Sequence, residues 1–270
     1  MLNRVFLSQG GLTELPALSD FQSTATSLTL NPGEYLYISS PARFNSQYLK
    51  ITTPAGAPVG LTVEYWGGSD EQWVSVVDQV DRTDGLTSSG LLSFTLDREK
   101  SWALADSSDI AAVSSKTIYD SFWCRIGVDA LASFDLNWLG YLFVDTDSKL
   151  YTQYPLLGDS DFMAGFGVTD WEKQRIEASE LVMVELIGHN HMQNPGQLMS
   201  YNQMRLLTIP YTAYLAFKAA SGDYYKQAAS DAYADYQKVR QNSHLLVDTN
   251  GDGNIQPSEH GKPKGVILNR

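Results

Sequence analysis

Between residues 27 and 143 apolar side chains alternate with polar ones, while from residue 169 to residue 241 they recur three or four positions apart. A period of two builds half-buried strands, and a period near 3.6 builds amphipathic helices. The two patterns occupy separate stretches, which predicts an α+β fold: an N-terminal antiparallel β-sandwich followed by a helical bundle with an EF-hand-like loop.

The strand signals are read in order. Leu28 to Leu30 and Tyr35 to Ile38 flank a turn at Asn31, Pro32 and Gly33, and Phe44, Tyr48, Leu49 and Ile51 continue the alternation. Leu61 to Trp66 has a clean period of two, and Gly67 to Asp70 turns it into Gln72 to Val77, which is a hairpin. After Asp84 and Gly85 come Gly90 to Leu96, Phe122 to Val128 and Phe134 to Leu139, about seven to nine strands in all. Residues 1–144 therefore form the β domain, with residues 1–20 as an arm that orders only against that domain or a partner. Residues 145–168, rich in Gly, Asp, Tyr and Pro, are expected to be a linker.

The helical domain spans residues 169–260. Thr169 and Glu172 have capping-box spacing, after which Ile176, Leu181, Val184 and Ile187 recur at helical intervals until Gly188 offers a stop. Gln197 to Ala220 is a second segment, expected to be kinked or divided at Pro210, which lacks a backbone donor. Asp223 to Gln241 is the third, with Tyr225, Ala228, Ala232 and Tyr236 on one stripe. Short connections make such helices antiparallel neighbours.

The loop after the third helix carries the most specific chemistry. Asp248, Asn250 and Asp252 occupy positions 1, 3 and 5 of a calcium loop, Gly253 the sharp turn, and Glu259 position 12, where a carboxylate can hold the ion with both oxygens. Asn254 would offer its carbonyl and Gln256 a water-mediated contact. A solvated Asn/Gly/Asp turn is the competing reading. Gly261 and Pro263 leave little room for an exiting helix, and no second such loop exists in the sequence, so bound calcium would staple a helix end rather than signal. Residues 261–270 form an extended tail: two glycines and a proline oppose a helix, Val266 to Leu268 is apolar, and Lys262, Lys264 and Arg270 make it basic. Such a tail is expected to dock on a neighbouring surface, where its apolar triplet can add to an open sheet edge.

Composition narrows the partners. Forty-three per cent hydrophobic residues exclude a disordered chain. No apolar run of membrane-spanning length is present, and Met1 to Gln9 lacks the features of a secretory signal, so neither membrane insertion nor export is expected. A net charge of −12 argues against a duplex-binding surface and against sequence-specific contact with nucleic acid. The single cysteine, Cys124, reads as a small core residue.

Enzymatic readings are weak. His189 and His191 lie in a helix-end turn without a nearby carboxylate or thiolate, and Asp145 and Asp147 read as exposed linker carboxylates rather than paired acids. No nucleophile elbow or phosphate-cradling loop occurs. Trp66, Trp73 and Trp102 lie near sandwich turns, where they would fill a core or subunit interface or, alternatively, stack on sugar rings. The chain is expected not to be an enzyme.

The stretches Tyr35 to Phe44 (YLYISSPARF), Val63 to Trp66, Gln72 to Val74, Gly90 to Phe94 and Phe122 to Ile126 resemble a β domain of structural proteins in tailed bacteriophages. The helical half is similar to head-to-tail adaptor (connector) proteins that form a ring between portal and tail. The resemblance implies a virion structural protein of the neck, assembled in the host cytoplasm as a homo-oligomeric ring, a dodecamer matching the portal. Its partners would be the portal protein and the next neck or tail protein, and the family has no active site to carry over. The alternative is a calcium-dependent carbohydrate-binding or baseplate module of the tail.

Overall fold

The computed structural model describes residues 3–8, 11–19, 24–67, 71–97, 100, 102–143, 147–189, 191–193, 195–198, 201–220, 222–242 and 245–247. The chain divides into two compact units, Met1–Gly140 with Asn194–Gly196, and Tyr141–Gln193 with Gln197–Arg270. Two antiparallel sheets come first and helices follow, so the fold is α+β.

The described strands of the first unit are β1 (Arg4–Ser8), β2 (Leu12–Glu14), β3 (Thr26–Leu30), β4 (Tyr35–Ser40), β5 (Ser46–Thr53), β6 (Leu61–Gly67), β7 (Gln72–Ser75), β8 (Asp78–Asp81), β9 (Gly90–Thr95), β10 (Leu104–Ala105), β11 (Ser121–Val128) and β12 (Ala132–Gly140). One sheet runs β2-β1-β4-β11-β6-β7, with β10 on β11, and the other runs β3-β12-β5-β9-β8. Alternation places Leu36 and Ile38 of β4, Val63 and Tyr65 of β6, and Cys124 and Ile126 of β11 on one buried face. The sheets meet through rings: Trp102 contacts Tyr65 of β6 at 5.9 Å and Phe94 of β9 at 6.4 Å between centroids. Cys124 is buried there, and desolvation pushes its thiol far above the ordinary range, leaving an inert thiol.

The N-terminal arm is a strand of this sheet. β1 pairs with β4, and Phe6 is fully buried opposite Tyr37.

The second unit holds α1 (Ser148–Gln153), α2 (Ser160–Gly165), α3 (Glu172–Gly188), α4 (Tyr201–Ala219) and α5 (Asp223–Asn242). α4 packs against both α3 and α5. The expected linker is part of this core instead: Leu150 and Leu157 are fully buried, and Phe162 stacks near Trp171 and Phe217. Its Asp and Gly residues serve caps and turns, as where Asp159 accepts from the Asp161 and Phe162 amides at 2.9 Å. Limited proteolysis should therefore spare residues 147–188, and a first cut within α1 or α2 would contradict this packing.

Three helix details differ from expectation. The N-cap of α3 is Trp171, and the Asp170 carboxylate just before it accepts from the Glu172 amide at 2.9 Å, in place of a Thr169–Glu172 box. α3 buries Ile176, Ala178, Val182, Met183 and Leu186, leaving Leu181 and Val184 exposed. α4 runs through Pro210 undivided. The donor lost there would have served the Leu206 carbonyl, and Leu206 is 57% exposed, so water can replace it.

Candidate functional site

The side chains of strands β1, β4, β11, β6 and β7 that face away from the sandwich core form a second, aromatic layer. Register sets Phe6 opposite Tyr37, Tyr37 opposite Arg125, and Arg125 opposite Glu64, giving one row across four strands. Trp66 sits opposite Trp73 on the same face. Half of this layer is closed by residues 106–120, whose Ile110, Val113 and Ile118 pack over Phe6 and Trp123. That segment is anchored by its own hydrogen bonds. The Ser107 amide donates to the Ile118 carbonyl at 2.8 Å, and the Asp120 amide donates to the Asp106 carboxylate at 2.9 Å.

The other half is open, and Arg125 is its centre. The guanidinium lies 4.0 Å from the Tyr35 ring centroid and 4.5 Å from that of Trp73, so it is held between two aromatic faces. Its Nε donates to Glu64 Oε2 at 2.7 Å, and the two side chains are 16% and 19% exposed. Trp73 is braced by Trp66 at 5.4 Å and Tyr37 at 5.6 Å. Burial pushes the Tyr37 hydroxyl above its ordinary value against the opposing pull of Arg125. Gly127 makes the stack possible: a Cβ there would come within 2.8 Å of both Tyr35 Cε1 and Thr62 Oγ1.

This arrangement has no nucleophile beside a base. It offers a platform of half-buried Tyr35 and Trp73 with a neutralised cation between them. The sequence singled out Trp73 as a core or interface residue with a sugar platform as the alternative, and it missed Tyr35, Glu64 and Arg125. Their signal was the alternation of Tyr35 with Tyr37, Glu64 with Trp66 and Trp123 with Arg125 on the face opposite the core.

The residues singled out from the sequence are scattered. Asp248, Asn250, Asp252, Asn254 and Glu259 lie outside the described residues, as do Asp145 and the tail 261–270. Trp102 is 1% exposed and Trp66 is buried, so neither can stack on a sugar. His189 ends α3, its amide donating to the Glu185 carbonyl at 3.0 Å, and its ring centroid is 6.4 Å from that of His191. Among the described residues no group of three or more His, Cys, Asp or Glu side chains is placed to hold a metal.

Asp147 is not an exposed carboxylate. Its side chain is 10% exposed and pairs with Arg175 at 2.6 Å, while its Oδ2 accepts from the Trp171 amide at 3.0 Å and the Tyr151 hydroxyl at 3.1 Å. Burial and the neighbouring Asp147 push the Tyr151 hydroxyl up to about 12. A second carboxylate, Glu185, accepts from the Tyr236 hydroxyl and pairs with Arg240, tying α3 to α5. Both are structural ties between helices.

No known protein family matches the sequence, and no curated protein matches it. Among solved structures, chitosan-binding module 1 of a chitosanase/glucanase from Paenibacillus sp. IK-5 aligns with 51% of this chain and 91% of the module, at 13% identity and a TM-score of 0.29.

Proposed function

We propose that the chain is a non-enzymatic structural protein of a virion neck, a ring-forming head-to-tail adaptor that docks on the portal. The partly buried stack of Tyr35, Arg125 and Trp73 on the sheet carries this reading. Tyr, Arg and Trp are the side chains that anchor protein interfaces, because each supplies a large contact area with little rotamer freedom to lose. The buried charges of the helical unit are committed to each other, which supports scaffolding over chemistry. Native mass spectrometry and electron microscopy of the purified chain, alone and with a portal, test the reading. A ring of about twelve copies is expected, and Arg125→Ala should weaken it. A chain that stays monomeric with and without the portal would overturn the adaptor assignment.

The same two half-open rings favour one second reading, a carbohydrate-binding or baseplate module, in which a sugar packs on the edge of the stack. Soluble oligosaccharide would then protect Trp73 fluorescence from a quencher in the monomer.

Calcium belongs to both readings. An ion held by Asp248, Asn250, Asp252, Asn254 and Glu259 at a hundredfold above its dissociation constant should stabilise the fold by about 2.7 kcal/mol. Asp248→Ala or Glu259→Ala should abolish that gain. Identical melting curves in chelator and in millimolar calcium would remove the ion from the account.

A further inference from the structure

The five-stranded sheet ends on β8, and among the described residues no strand pairs with its outer side. On the inner side, Val80 lies opposite Ser93 of β9, and the Arg82 amide donates to the Leu91 carbonyl at 2.9 Å. Antiparallel residues bond alternately inward and outward, so the backbone groups of Gln79 and Asp81 point away from the sheet. The strand is held firmly in place. Gln79 Nε2 donates to the Leu61 carbonyl at 2.8 Å, and the Asp81 carboxylate accepts from the Thr83 amide at 2.7 Å and the Gly85 amide at 3.0 Å.

What this edge displays is unusual. Val77 is 67% exposed and Val80 50%, with Asp78 exposed between them. No lysine or proline blunts residues 77–81, although these are the ordinary protections of a free edge. Among the described residues, the edge strands β2, β3 and β7 carry no exposed large apolar side chain, and the two-residue β10 carries one, Leu104.

We propose that β8 receives residues 261–270 of a second copy of the chain as an added strand. The segment supplies what the edge lacks: paired antiparallel, Val266 to Leu268 cover Val77 and Val80, and Lys264 falls beside Asp81. Residues 248–270 beyond Val247 can span about 75 Å if extended, enough to reach a neighbouring subunit. A second copy is the occupant because the inference rests on the ring reading, in which each subunit presents one edge and one tail and a head-to-tail contact closes the circle.

The test mixes two full-length proteins, Val80→Cys and Ile267→Cys, under mild oxidation. Cys124 is buried and does not compete. Disulfide-linked heterodimers are expected in the mixture but not in either protein alone. Val80→Lys and truncation after residue 260 should each lower the ring fraction at least tenfold while leaving the melting of the β unit unchanged. Rings that form equally well from the truncated chain, or rings without the cross-link, overturn the strand exchange and leave the adaptor reading standing. A monomer-mass disulfide in the doubly substituted chain, with no heterodimer from the mixture, places the tail on its own subunit and overturns the inference. Wild-type protein that never forms rings overturns both.

Discussion

Replacing Asp147 with alanine is expected to destabilise the helical unit by about 3–5 kcal/mol, because it removes a carboxylate that faces a buried cation. The Arg175 side chain is 7% exposed and 2.6 Å from the carboxylate, so water cannot replace the lost partner without opening the core. The same change removes the acceptor for the Trp171 amide at the start of α3 and for the Tyr151 hydroxyl of α1. α1 and α3 lose their common anchor at once. The helical ellipticity should show a drop in Tm of about 10 °C or more. Replacing both partners together, Asp147→Leu with Arg175→Met, should recover most of the loss, since a buried ion pair contributes little beyond an apolar pair of similar volume. A cost under about 1 kcal/mol for the single substitution would show that Asp147 does not anchor these contacts.

That hub also marks where sequence reasoning runs out. Strand periodicity was legible because each strand announces itself locally: the Leu61–Gly67 and Gln72–Ser75 hairpin and the alternation of β4 need only their own residues. Asp147 has no local signature. Only Tyr151 is near it in sequence; Trp171 and Arg175 lie 24 and more residues away, and a stretch rich in Asp, Gly and Tyr looks the same whether solvated or packed. The face of α3 failed for a related reason. That helix is apolar on more than one side, so the spacing of Leu181 and Val184 is as good as that of Val182 and Leu186 until α4 is in place to choose. The outward row of Tyr37, Arg125 and Glu64 was written in the alternation, but its meaning needs the register of three strands, which no single stretch contains. The residues expected to hold calcium are the reverse case: a motif explicit in sequence that falls outside the described residues.

Trp102→Ala should cost the β unit about 3–5 kcal/mol, the usual loss on truncating a fully buried aromatic. The indole is 1% exposed, and four rings surround it, with Phe44 at 4.9 Å, Phe122 at 5.7 Å, Tyr65 at 5.9 Å and Phe94 at 6.4 Å. These come from both sheets, so the cavity would open at the seam of the sandwich where no one strand can relax to fill it. The indole nitrogen donates to the Trp123 carbonyl at 3.0 Å, and Trp102→Phe isolates that contribution by keeping a ring while orphaning the carbonyl, at about 1–3 kcal/mol. Trp73→Ala should behave differently. It removes a half-buried ring from the outer layer, so the thermal stability of the β unit should change less than for Trp102→Ala, while the Tyr35–Arg125 stack loses one of its two faces. Denaturant titration of the three variants separates the roles. A Trp102→Ala protein as stable as its parent would return that tryptophan to the surface, and with it the sugar-platform reading that its burial now opposes.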